Sequence, residues 1–149
     1  MSLKHAARYM SLAREISTWS KDPRKKIGSV VIGHKGQVLA QGFNGFPRGI
    51  DDSTERYSDR DVKRQYVIHA EMNCIYNASF NGVSLEGSTI YVYGLPPCSE
   101  CAKAIIQAGI SEVYYTTNDD PDSARWYESF ELSKSMFTEV GVKFERISI

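Results

Sequence analysis

Residues 88–117 read STIYVYGLPPCSECAKAIIQAGISEVYYTT. The outer runs, STIYVYG and SEVYYTT, have the β-branched and aromatic density of buried strands, and the centre reads as a helix over 98–108 closed by Gly109. Two strands joined through a helix form the usual right-handed crossover, so these two are expected to lie parallel. Sites in such sheets gather beyond the carboxyl ends of the parallel strands, where Cys98 stands.

Downstream, SARWYESFELSKSMFTEVG predicts a helix with Trp126, Phe130, Phe137 and Val140 on its apolar side, and VKFERISI a last strand. Upstream, HAEMNCIYNASF predicts a helix ended by Asn81 and Gly82. Residues 43–66, rich in turn formers and charge, read as a long surface excursion with a short helix near 60–66. Before it, IGSVVIG and QVLAQGF flank the turn HKG and predict an antiparallel hairpin. Residues 3–18 carry Leu3, Ala6, Ala7, Met10, Ala13 and Ile16 at helical spacing, with Ser2 as the N-cap. The order αββ, loop, αβαβαβ is that of an α/β fold on a mixed five-stranded sheet with helices on both faces. No linker, repeat or low-complexity tract interrupts it, so residues 1–149 are expected to form a single domain.

Eighteen basic residues balance 18 acidic ones. Such a chain has no global field for nucleic acid or an anionic membrane, and any charged partner must be met locally. Charges interrupt the apolar residues of the N-terminus, and no later stretch is long enough to cross a bilayer, so a cytoplasmic protein is expected. Three cysteines are too few and odd in number for a secreted disulfide framework. In a reducing compartment the close pair Cys98 and Cys101 is metal-binding or redox-active.

Cysteines at i and i+3 share a helix face, and a helix N-terminus favours thiolate over thiol. A redox pair would need no histidine and would normally follow a thioredoxin-like βαβ unit, which is absent. The segment IHAEMNC instead offers His69 as a third ligand with Glu71 beside it. Cys74 would close a four-ligand structural site, but five residues at ~100° each carry it about 140° around the helix from His69, so it is expected in the core. Glu71 is then either a proton shuttle at the open side of the ion or a first-turn acid that complements the helix dipole. His5 and His34 have no such company and read as surface residues.

H-A-E and P-C-S-E-C together match the H-x-E…P-C-x-x-C pattern of zinc deaminases. With SKDPRKKIGSVVIG, GFNGFPRGIDD and PCSECAKAIIQAGI in this order, the chain resembles the cytidine and deoxycytidylate deaminase superfamily, and within it the deoxycytidylate (dCMP) deaminases, over most of its length. The resemblance implies the three-layer α/β/α cytidine deaminase-like sandwich with a parallel last strand. It implies one Zn²⁺ held by His69, Cys98 and Cys101 with a fourth position for water, and Glu71 as the proton carrier that converts dCMP to dUMP and ammonia, the dUMP supplying thymidylate synthesis. Other nucleotide or nucleic-acid deaminases, and a non-catalytic zinc module, are the alternatives.

A nucleotide needs a phosphate site, and Lys21, Arg24, Lys25 and Lys26 cluster in the turn before the first strand, either as phosphate contacts or as a solvated turn. The resemblance favours Arg24, and after it Lys26, as phosphate contacts. It places Asn44 by the sugar and base, although Asn-Gly is also a common turn dipeptide, and gives the Ala70 backbone a contact to the base. Tyr115 either borders the nucleotide or packs like the other strand tyrosines. The resemblance further implies a homohexamer activated by dCTP and inhibited by dTTP, with Mg²⁺ accompanying the effector at a site involving Gly42, Asn44 and Gly45. Some relatives carry a second zinc in the insert after this loop, but residues 50–65 contain no Cys or His, so one zinc per chain is expected.

Overall fold

The computed structural model describes residues 3–118 and 123–148. A 3-10 turn (Leu3–His5) leads into α1 (Ala6–Ser17), followed by the hairpin β1 (Gly28–Ile32) and β2 (Val38–Phe43). The excursion carries two short helices, α2 (Thr54–Ser58) and α3 (Arg60–Tyr66). Then come α4 (Ala70–Phe80), β3 (Thr89–Tyr93), α5 (Ser99–Gln107), β4 (Glu112–Thr116), α6 (Ser123–Val140) and β5 (Lys143–Arg146).

The sheet order is β2-β1-β3-β4-β5. β1 runs antiparallel to both neighbours, while β3, β4 and β5 are mutually parallel, as the crossover reading of 88–117 requires. One face is covered by α1, whose Tyr9, Met10 and Ala13 pack on Val30, Ile32, Tyr91 and Tyr114. The other is covered by α4, α5 and α6, which bring Cys74, Ile105 and Phe137 against Val31, Ile90, Val92 and Val113. Alternation along the strands thus sends residues to two cores, which is why β1 and most of β3 are buried throughout.

Two close approaches set where the helices sit. A Cβ on Gly28 would fall 2.0 Å from the Ala13 carbonyl oxygen, so α1 lies directly on β1. A Cβ on Gly42 would fall 2.3 Å from Cys74 N and 2.6 Å from Ala70 O, so α4 lies directly on β2. Asn73 and Asn77, one helical turn apart, donate to the Phe43 and Gln41 carbonyls (2.7 and 2.6 Å), while Ser29 Oγ donates to the Ala70 carbonyl (2.9 Å). The start of α4 is therefore fixed against both strands of the hairpin.

The excursion is held by packing and ionic contacts. Phe46 stacks on Tyr57 with centroids 4.1 Å apart and meets Tyr66, and the Arg56 guanidinium covers the Tyr66 ring. Asp59 caps α3, accepting from Asp61 N and Val62 N. α2 has no counterpart in the sequence reading, because its five residues carry too little periodicity to show. The N-cap assigned to Ser2 lies outside the described residues; α1 itself starts after His5 without a side-chain cap. Val140 is exposed: Gly141 turns the chain at φ +78°, Val142 N bonds back to the Phe137 carbonyl, and Val142 supplies the apolar contact instead.

Candidate active site

Two helix N-termini converge. His69 is the N-cap of α4 and Cys98 the N-cap of α5, and neither side chain caps its own helix. Both are turned toward each other instead. His69 Nδ1 lies 3.4 Å from Cys98 Sγ and 3.4 Å from Cys101 Sγ. All three donor atoms fall within 4.8 Å of one another, and among the described residues this is the one such group of three or more. Two cysteine sulfurs and an imidazole nitrogen make a three-donor set of the kind that suits an open, catalytic zinc.

The electrostatics agree with that reading. The Cys98 thiol is lowered to about 4, chiefly because Cys101 donates to it and then because of His69, against the cost of burial. Cys101 is pushed up by that same hydrogen bond and by burial, and His69 is raised mainly by its bond to Cys98. A thiolate is therefore ready at the site. Cys74 is absent from the group, as the helical angle requires: it is fully buried, and desolvation pushes its thiol up to about 12.

Glu71, in the first turn of α4, is 4% exposed. Burial raises its carboxyl to about 7, opposed mainly by His69. Its burial sets it apart from a surface acid that only complements a helix dipole.

Glu71, His69, Ala70 and Cys98 form one end of a pocket. Arg24 and Lys25, from the turn before β1, and Arg60, Lys63 and Arg64, from α3, also line it. Leu95 and Pro96 before Cys98, and Trp126 and Phe130 of α6, add apolar wall. Five cationic side chains in one cleft suit an anion, although the chain as a whole is neutral.

Asp22 organises the cationic part. It is 3% exposed; Oδ1 accepts from Arg24 N (2.9 Å) and Lys25 N (3.3 Å), and Oδ2 pairs with Lys63 Nζ at 3.0 Å. Asn44 lines the pocket and locks the same turn, donating to the Lys25 carbonyl and accepting from Ile27 N, both at 2.9 Å. Lys26 is directed away, its Nζ donating to the Ser20 carbonyl. Tyr115 stacks on Phe144 (5.2 Å) and does not line the pocket. Gly42 lies under α4, and Gly45 bridges to Ile68; neither lines the pocket.

The structure therefore brings His69, Cys98, Cys101, Glu71, Ala70, Arg24 and Asn44, all singled out in the sequence, into one neighbourhood. The sequence reading missed Asp22, Arg60, Lys63, Arg64 and the α6 aromatics. A signal for the α3 cations was present, since positions 60, 63 and 64 share one helix face.

Residues 3–117 match the model of the cytidine and deoxycytidylate deaminase zinc-binding region. An uncharacterized deaminase from the luxG 3' region of Aliivibrio fischeri is 38% identical over 143 residues, covering 96% of this chain and 93% of that protein. The deoxycytidylate deaminase of Homo sapiens is 34% identical over 143 residues, covering 93% and 76%. The crystal structure of the dCMP deaminase from cyanophage S-TIM5 in complex with dCMP and dUMP superimposes with a TM-score of 0.76 at 27% identity, covering 99% of both chains. With its ligand triad, buried glutamate and sheet order all in agreement, the chain belongs to the zinc-dependent cytidine and deoxycytidylate deaminase family.

Proposed function

We propose that residues 1–149 act as one deaminase unit that hydrolyses dCMP to dUMP and ammonia, supplying dUMP for thymidylate synthesis. The observation that carries this reading is the pocket itself, which joins the His69, Cys98 and Glu71 cluster to five cationic side chains. A cytosine ring at the first and a monophosphate at the second account for both sets of groups. The similarity to a phage enzyme crystallised with dCMP and dUMP supports the same substrate.

His69, Cys98 and Cys101 would hold one Zn²⁺, which when bound supplies Lewis acidity and makes water a nucleophile near neutral pH. Glu71 takes a proton from the attacking water and delivers it to ring N3. A C4–O bond forms, the C4–N bond breaks, and Glu71 passes the second proton to the departing amine, which leaves as ammonia. The Ala70 backbone faces the base. Arg24 is the first phosphate contact, with the α3 cations around it, and Asn44 holds the turn that presents Arg24. Lys26 and Tyr115 have no part in this arrangement, because their side chains are engaged elsewhere. Activation by dCTP with Mg²⁺, inhibition by dTTP through Gly42, Asn44 and Gly45, and a hexameric assembly complete the proposal and rest on the family resemblance, while a cytoplasmic location rests on the hydropathy pattern of the sequence.

The test is ammonia release by the zinc-loaded protein offered dCMP, CMP, deoxycytidine and a cytosine-containing oligonucleotide, each with and without dCTP plus Mg²⁺. Turnover confined to dCMP is expected, and a dCTP response tests the regulation. Silence on all four substrates transfers the reading to another nucleotide or to a non-catalytic zinc module.

A further inference from the structure

The N-cap is where a side-chain oxygen normally accepts from first-turn amides, which have no partner inside the helix. At the start of α5 that position belongs to Cys98, whose sulfur is turned to His69. The first amide of the helix is satisfied from another helix: Ser129 Oγ of α6 accepts from Ser99 N at 2.8 Å and lies 3.1 Å from Ser99 Oγ, to which it donates. One turn on, Ser133 is fully buried, and its hydroxyl reaches the Pro97 carbonyl at 2.9 Å while sharing its proton with the Ser129 carbonyl at 3.0 Å. The residues on both sides of Cys98 are thus tied to α6. Positions 126, 129, 130 and 133 share one face of that helix, so the face that lines the pocket with Trp126 and Phe130 also holds this turn.

We propose that Ser129 and Ser133 are positioning residues for the metal centre. They satisfy the Ser99 amide and the Pro97 carbonyl on either side of Cys98, and they fix its sulfur where the ion needs it. The inference holds for any substrate the pocket accepts.

The test measures zinc dissociation constants by competition with a chromophoric chelator, and the visible spectrum after Co²⁺ substitution, for the parent, Ser129→Ala, Ser129→Thr, Ser133→Ala and Phe137→Leu. Ser129→Ala is expected to weaken zinc binding by about 10–100-fold, the usual range for groups that orient metal ligands. It should also shift the thiolate-to-cobalt absorption, whereas Ser129→Thr, which keeps the hydroxyl, should restore both. Phe137→Leu loosens α6 without touching the turn and should lower the melting temperature while binding zinc like the parent. Parental zinc affinity and cobalt spectrum in Ser129→Ala, or an equal loss in Phe137→Leu, overturns the proposal. Should Ser129→Ala fail to fold, Ser133→Ala is judged by the same two criteria.

Discussion

Glu71 combines a dry environment with a nearby imidazole, and the balance places its carboxyl near neutrality. Glu71→Gln keeps the volume and removes the proton carrier, so zinc content is expected to stay at the parental level while turnover falls by about 10²–10⁴-fold. Metal analysis beside ammonia-release kinetics checks this, and parental turnover would remove Glu71 from the chemistry. A second consequence concerns the zinc-free protein. The folded carboxyl sits at about 7 against 4.5 in the ordinary state, so its protonated form favours folding at low pH and that advantage is lost as pH rises to 7 and beyond. Glu71→Gln should therefore become more stable relative to the parent between pH 4 and 8, by up to about 3 kcal/mol, in urea unfolding of chelator-treated protein. At this scale the clustering of His69, Cys98, Cys101 and Glu71 was legible because H-x-E and C-x-x-C are local patterns. Lys26 and Tyr115 were not, because a turn lysine's direction depends on a distant carbonyl and a strand tyrosine's on its neighbour Phe144.

α3 shows what an element can contribute beyond its own stability. None of its residues is fully buried, yet its Lys63 neutralises the buried Asp22 that organises the Arg24 turn. Removing one partner of a buried pair strands the other charge, at a cost of about 3–5 kcal/mol, and here the stranded group would be the one that shapes the phosphate end. Lys63→Met is therefore expected to raise KM for dCMP far more than for deoxycytidine, with zinc content unchanged, and Arg24→Ala should show the same split. Equal effects on both substrates would detach α3 from the phosphate. A short helix near 60–66 was expected, since this stretch stands out from the turn formers around it, and α3 is found there. Its function was not, because nothing in the spacing says that position 63 meets position 22.

Over the whole molecule, the parallel order of β3, β4 and β5 was legible from strands alternating with helices. The antiparallel seam between β1 and β3 was not, because it pairs Gly28 with Tyr93 and Ile32 with Thr89, across most of the first half of the chain. Each side of that seam is built from contacts close in sequence: a hairpin with α1 on one side, a βαβαβ unit on the other. Such local units assemble readily, and the long-range pairing between them carries the loop-closure cost. The pocket lies across the join. Arg24 and Asn44 come from the first unit, Cys98 and Trp126 from the second, and His69 and Glu71 from α4 between them. Neither unit owns a complete donor set, so a chain severed at the exposed Gly82 would carry His69 on one piece and both cysteines on the other. An ion that needs all three donors then reports assembly, since the full set exists only in a chain whose two parts have already found each other.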